Sequence, residues 1–267
     1  MKKTKSKFTQ EYLNKKNSSG ASAIVHKATV DEILNIAKKE LHKPIKELVV
    51  LDVGSGFGEY SFEIEKYVKK IVGVEPFEKA FNIALENKKK RKSKVEFHNL
   101  LVENFNTEEK FDLAISLTVL EHMSDPDISF RKVLSLLRPG GILYVTAPNK
   151  WWPFELHYHL FFLGWLPLFL ANFYVRIMGK GLSFQGCSSA RSYFGMKKLF
   201  NQFACTYYFF LPSNNAIYLG LGKGGRITKF IRGIGIALIR KVPLFWTISK
   251  GFIMVVKKNY KKYDKNS

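Results

Sequence analysis

The sequence predicts an α/β protein, a parallel sheet covered by helices on both faces, and two observations predict it. Short apolar, β-branched runs alternate along the chain with stretches at helical spacing, the pattern of βαβ units. The first of these runs, Leu48 to Val53, passes directly into Gly54, Gly56 and Gly58 and then into a helical stretch from Glu59. A continuous apolar run, rather than an alternating one, suits a strand buried on both faces. A glycine bend before a helix lets the backbone approach a ligand at the helix N-terminus.

Each element follows from local pattern. Val25, Val30, Ile33, Leu34, Ala37 and Leu41 recur at helical spacing, so a helix over Val25 to Leu41 is expected to cover the sheet edge, stopped by Pro44. Beyond the bend come a helix to Lys69, a strand Ile71 to Glu75, a helix Phe77 to Lys90 and a strand Val95 to His98. Strand Leu113 to Leu117 precedes a helix Pro126 to Leu137, with Ser124 or Asp125 as N-cap and Pro126 in the first turn. After strand Gly141 to Thr146 the alternation breaks into an aromatic insertion, 150–190, holding three of the four tryptophans. A segment emerging there would roof a site at the carboxyl ends of the strands, or form a small core of its own. Helix Ser192 to Phe203 and strand Cys205 to Leu211 resume the core. Ser213 to Lys250 reads as a basic amphipathic helix pair, and Phe252 to Val256 as the last strand. Residues 1–24 read as a disordered basic arm, 25–258 as one domain and 259–267 as a basic tail.

The bend narrows the ligand. It reads Gly54-x-Gly56-x-Gly58, with Glu59 where the dinucleotide fingerprint needs its third glycine. Glu59 and Asp52 would repel a pyrophosphate at that helix end, so a cationic or zwitterionic ligand fits better. Glu75 closes the second strand, where a carboxylate can accept both ribose hydroxyls.

VLDVGSGFG with GVEP, then Phe111 to His122 with its FD and LEH, then Leu137-Arg138-Pro139-Gly140-Gly141, resemble in order the motifs of class I S-adenosylmethionine-dependent methyltransferases. In these motifs the chain resembles the quinone-precursor O-methyltransferase branch. The resemblance implies a Rossmann-like seven-stranded sheet in the order 3-2-1-4-5-7-6, its last strand antiparallel. It implies S-adenosyl-L-methionine as cofactor, held by Asp52, Gly54, Ser55, Gly56, Glu75, Pro76, Leu101 and Leu117. Leu101 stands where the family usually carries an Asp beside the adenine amino group, leaving apolar contact or a substitute in Glu103 or Asn99. The acceptor pocket would be lined by Glu121, Trp151, Glu155, His157 and His159.

Two readings stand for His122: a general base for a hydroxyl acceptor, or a residue that caps its loop. Relatives with E-x-x-E-H at this loop can hold a divalent metal, but Thr118 replaces the first acid here, so no required metal is expected. The implied function is methyl transfer to a small or lipid-linked acceptor, a hydroxyl oxygen, by in-line displacement. The alternatives are an RNA methyltransferase and a non-catalytic cofactor-binding scaffold.

Lys and Arg number 43 against 22 Asp and Glu, a net charge of +21, which calls for an anionic partner or surface. Nucleic acid is disfavoured as a base-methylation substrate. Leu117-Thr118-Val119-Leu120 stands where such enzymes carry (Asp/Asn)-Pro-Pro-(Tyr/Phe). An anionic membrane surface is favoured, with Phe245 and Trp246 inserted and Arg240 and Lys241 at headgroup level. Two cysteines outside any zinc or redox spacing suggest a reducing compartment. The first 17 residues lack the apolar stretch of an export signal, and Leu160 to Ala171 is too short and interrupted to span a bilayer. The expected location is cytoplasmic, peripheral on the inner face of the membrane.

Overall fold

The computed structural model describes residues 20–155, 157–211 and 226–260. The sites expected in the first 19 residues, at Ser213 to Lys223, and in the tail from residue 261 lie outside the described residues. The main sheet is built from β1 (Val49–Val53), β2 (Lys70–Val74), β3 (Glu96–His98), β4 (Phe111–Leu117), β5 (Leu137–Pro148), β8 (Cys205–Phe209) and β9 (Gly251–Lys258), in the order β3-β2-β1-β4-β5-β9-β8. β1 to β5 run parallel, and β9 lies antiparallel between β5 and β8. With the small hairpin β6 (Phe154–Glu155) and β7 (Leu160–Phe161) set aside, this is the expected order.

The strands are buried because both faces are covered. On one face α1 (Gly20–Glu40) and α2 (Glu59–Ile64) bring Val30, Ile33, Ala37, Phe62 and Ile64 onto Val50, Leu113, Ile142, Tyr144 and Ile253. On the other, α4 (Pro126–Leu136) and α6 (Tyr193–Phe200) bring Phe130, Val133, Met196 and Phe200 onto Leu51, Ala114, Leu143 and Met254. Each such large side chain contributes about 1.5–3 kcal/mol by leaving water. α3 (Glu78–Arg91) buries only Ala80 and Ala84, and its last turn carries Lys88, Lys89, Lys90 and Arg91, which suits the negative helix end.

Several expectations need correction. α1 starts at Gly20, inside the stretch assigned to the arm, and it packs on β1, β4, β5 and β9 across the middle of the sheet rather than its edge. Its fully buried stripe of Val30, Ile33 and Ala37 needs that apolar surface. α2 ends after Ile64, and β5 reaches back to Leu137, which pairs with Phe111. Asp125 is the N-cap of α4, accepting from the N–H groups of Asp127 and Ile128.

The described part of the basic segment holds a helix, α7 (Arg226–Lys241), followed by a 3-10 turn at Pro243–Ile248. Trp246 on that turn is buried against Phe209 and Phe252, so it belongs to the core and cannot insert into a membrane. Among the described residues no helix is long and apolar enough to cross a membrane.

Candidate functional site

The carboxyl end of β1 turns through three glycines with positive φ: Gly54 at 71°, Gly56 at 56° and Gly58 at 84°. The N–H groups of Gly54 and Ser55 both donate to the Val74 carbonyl, which straps the bend to the end of β2. Glu75 strengthens the strap: its Oε2 accepts from the Gly56 N–H at 2.9 Å and its Oε1 from the Phe77 N–H at 2.8 Å. Burial raises the pKa of Glu75, partly offset by those two donors. A carboxylate offers about four lone-pair sites, so two remain for a ligand.

Asp52 is buried and accepts from Ser61 Oγ on α2 at 2.5 Å. Burial pushes its pKa up to about 7 against the Ser61 hydrogen bond, with Glu75 and Glu59 adding to the rise. Two carboxyl groups held at a bend under desolvation favour a ligand carrying positive charge. The Ser55 hydroxyl is buried with no hydrogen-bond partner among the described residues.

Pro76 and Leu101 are exposed, Leu117 is half-buried, and Leu101 presents an apolar side chain to solvent beyond β3. The two proposed substitutes for the missing acid are tied elsewhere. Asn99 donates to the Glu75 carbonyl at 2.8 Å, and Glu103 accepts from the Ser129 hydroxyl.

Thr118, directly after β4, has a φ of 58°, a left-handed conformation that a β-branched residue adopts only when its surroundings hold it. Its N–H donates to both the carbonyl and the hydroxyl of Thr146 on β5, each at 3.0 Å. The turn carries Val119 over the glycine bend and starts the 3-10 turn Leu120–His122.

On that turn Glu121 is buried, and among the described residues no other residue hydrogen-bonds its carboxylate oxygens. Burial drives its pKa up to about 7, only partly opposed by its own backbone N–H and by His157. His122 Nδ1 lies 2.7 Å from the Gly186 carbonyl, to which it must donate, so Nε2 is the basic nitrogen of the neutral ring. Burial lowers the pKa of His122, against the Gly186 hydrogen bond.

The insertion has its own small core of Tyr158, Leu160, Leu163, Ala171, Val175, Phe184 and Cys187, with α5 (Leu168–Ile177) on it. It also closes on the turn after β4 through the Gly186 carbonyl and through the Ser189 N–H, which donates to the Glu121 carbonyl. The β6–β7 hairpin delivers Glu155 and His157 to the same place. His157 Nδ1 donates to Glu155 Oε1 at 2.7 Å, while Nε2 lies 3.9 Å from Glu121 Oε1. The His122 Nε2 is also 3.9 Å from that oxygen, and the two imidazole centroids are 5.1 Å apart.

Of the five pocket residues, Glu121, Glu155 and His157 therefore converge beside His122. Trp151 does not join them: it packs edge-on against Trp165, partly in solvent. His159 is exposed against Phe154 on the hairpin. Sequence reasoning missed Cys187, whose Sγ sits 3.7 Å from His122 Nδ1, and Asn149, whose Nδ2 bonds the carbonyls around Trp246 and fixes the root of the insertion. Only a buried asparagine next to Pro148 at a strand end could have flagged the latter.

Residues 45–167 match the family described as methyltransferase domain. A ubiquinone biosynthesis O-methyltransferase of Pelagibacter ubique is 28% identical over 129 residues, 47% of this chain and 54% of the relative. The chain thus spans about half the length of the curated relatives it matches. Among solved structures, the plantazolicin methyltransferase BpumL, in complex with a monoazolic desmethylPZN analog and SAH, superposes with a TM-score of 0.58 at 14% identity, covering 95% of this chain and 90% of that one. The [4+2]-cyclase SpnF superposes with a TM-score of 0.51 at 16% identity, covering 86% and 80%. At such identities the likeness is one of fold, and the same fold carries two different reactions.

Proposed function

We infer that this chain, whose residues 45–167 match a methyltransferase-domain family, is a class I S-adenosylmethionine-dependent methyltransferase that transfers a methyl group to a small or lipid-linked hydroxyl compound. The observation that carries the reading is the bend itself: three left-handed glycines, with Glu75 braced across it and a raised Asp52 beneath.

The residues fit the cofactor. Glu75 keeps acceptor capacity for ribose hydroxyls, and Leu101 offers an apolar surface to adenine. Asp52, Gly54, Ser55, Gly56, Glu75, Pro76, Leu101 and Leu117 would line that site. When bound, S-adenosylmethionine supplies a methyl group on a cationic sulfur, already activated for displacement. The protein's own task is then alignment and proton management.

His122 is the candidate base. Its Nδ1–H is committed to the Gly186 carbonyl, so Nε2 takes the proton of an acceptor hydroxyl as the oxygen–carbon bond forms. The Gly186 carbonyl and Glu155 favour the resulting imidazolium, while burial and the neighbouring His157 oppose it.

Calorimetry with S-adenosylhomocysteine, and with NAD as control, tests the reading. Binding of the first alone, followed by labelled-methyl transfer to extracts, supports it. Silence with both removes it, and binding without transfer to any extract favours the scaffold.

A membrane-bound acceptor has a specific observation in its favour. α7 leaves Phe230, Ile231, Ile234 and Leu238 exposed along one helical stripe, continued by Leu244 and Ile248, with Arg240 and Lys241 beside it. Pelleting with vesicles of anionic lipid tests this, F230S/I231S being expected to stay in solution. Strong salt-sensitive binding to RNA instead would favour the RNA reading.

A further inference from the structure

The insertion turns an apolar side outward. In α5, Ala171 and Val175 are fully buried in the satellite core. Phe169, Phe173 and Ile177, spaced four residues apart on the opposite side of the helix, are 71%, 61% and 66% exposed. Before the helix, the exposed rings of Phe161, Phe162 and Trp165 follow one another, with centroids 6.2 Å and 4.7 Å apart, and Trp165 meets Trp151 at 5.7 Å. Single apolar residues on a surface need no explanation, but a continuous apolar tract marks a docking surface.

We propose that the insertion docks on an anionic lipid bilayer, with α5 lying in its interface, so that the site end of the main sheet faces the membrane. This adds a second contact to the α7 stripe. That a bilayer-borne acceptor then enters beneath the insertion rests on the methyl-transfer reading.

Charge selects the partner. From Lys150 to Ala190 the insertion carries Lys150, Arg176 and Lys180 and a single acid, Glu155. Glu155 is turned inward, accepting from the backbone N–H groups of His157 and Tyr158 and from His157 Nδ1. Lys150 is exposed, its Nζ 6.0 Å from the centre of the Trp151 ring, and Arg176 is exposed one turn beyond Phe173. An apolar tract whose own exposed charges are cations suits phosphate headgroups above acyl chains. A second copy of the chain suits it less, because a two-fold contact sets these cations against each other with no acid of the insertion to pair them.

Topology gives the orientation. The insertion leaves the carboxyl end of β5, where Pro148 pairs with Gly251, the first residue of β9. The turn after α7 arrives at that same place, and Asn149 Nδ2 donates to its Trp246, Thr247 and Ser249 carbonyls. Both apolar stripes therefore spring from the end of the sheet that carries the glycine bend and the His122 turn. With ten residues, α5 has about half the length a spanning helix needs, which places it in the interface plane. Two modest contacts on one body multiply in strength.

The test is co-sedimentation of the full chain with vesicles of equal parts phosphatidylglycerol and phosphatidylcholine, and of phosphatidylcholine alone, with tryptophan quenching by brominated acyl chains in the anionic vesicles. The unaltered chain is expected to pellet with the anionic vesicles, less so as salt is raised, and to be quenched. F169S/F173S should lower the partition coefficient about tenfold or more, while melting temperature and S-adenosylhomocysteine affinity stay unchanged. W151F/W165F should lose most of the quenching, since Trp246 is buried and Trp152 half-buried. Equal pelleting of F169S/F173S, or quenching unchanged in W151F/W165F, overturns the docking. Should F230S/I231S stay in solution in that case, the α7 contact stands alone. A dimer seen in sedimentation velocity without lipid, and dissolved by F169S/F173S, also overturns the proposal and assigns the face to a second copy. Failure to bind S-adenosylhomocysteine removes the methyl-transfer reading and leaves the pelleting result untouched.

Discussion

Val119 stands directly over Gly54: a Cβ on that glycine would lie 2.6 Å from Val119 Cγ2. The bend and the turn after β4 are therefore one packed unit. Gly54→Ala is expected to force Val119 away, strain a φ of 71°, and destabilise the protein by about 1–3 kcal/mol. S-adenosylhomocysteine affinity should fall at least tenfold by calorimetry. G54A/V119A should recover part of it, because the clash but not the strain is relieved.

Glu75→Gln keeps the shape of the side chain but replaces one acceptor oxygen with a donor. Facing the N–H groups of Gly56 and Phe77, the amide must leave one of them unpaired. Cofactor affinity should drop about tenfold or more, read by the same titration, with a small loss in melting temperature.

His122→Ala should lower turnover by a factor of about 10²–10⁴ while cofactor affinity stays nearly unchanged. Because burial lowers the pKa of His122, its neutral form persists below the usual histidine range. The rate should therefore be flat at neutral pH and fall only as the pH drops beneath that range. A variant losing cofactor affinity in parallel would identify His122 as a loop residue.

Asp112 sits at the opposite end of the sheet, paired with Lys43 at 2.8 Å and Arg138 at 2.5 Å and accepting from the Val49 N–H. Burial works to raise its pKa, but Arg138, Lys43 and that N–H outweigh it and hold the carboxyl below its ordinary value. Its contribution to stability is then present above the unfolded-state aspartate pKa and is lost as the pH falls through the lower, folded one. Asp112→Asn should cost about 2 kcal/mol at neutral pH and flatten the acid limb of a melting curve measured between pH 5 and pH 2.

Trp246→Ala removes a buried ring between Phe209 and Phe252 and the turn that Asn149 holds. A loss of about 3–5 kcal/mol is expected in denaturant titration. Loss of vesicle binding without loss of stability would place the ring at the surface instead.

The parts legible in the sequence are those decided locally. A run such as Val49–Val53, apolar but for Asp52, suits a strand covered on both faces, and the three glycines after it mark a bend whatever follows. Trp246 was misread because amphipathic spacing records that a face is apolar, not whether protein or lipid covers it. α1 was misplaced for the same reason. The meeting of His122, His157 and Cys187 was invisible, because it depends on how the insertion folds back. No spacing rule links residues brought together by a hairpin and a satellite core. Thr118 gave no sign of its left-handed backbone, since Thr146, far along the chain, imposes it.

Among the described residues β8 pairs only with β9, and β9 is also the partner of β5 along seven positions, from Ile142 to Pro148. During synthesis the cofactor half, β1 to β5, can close before the rest of the chain leaves the ribosome, whereas β8 emerges with no neighbour. It must wait, together with the α6 surface that packs on it, until Gly251–Lys258 slides in as the central strand of that edge. Among the described residues β9 is thus the keystone of the sheet's far side, and a chain stalled before it would expose the open edge of β5 to its neighbours.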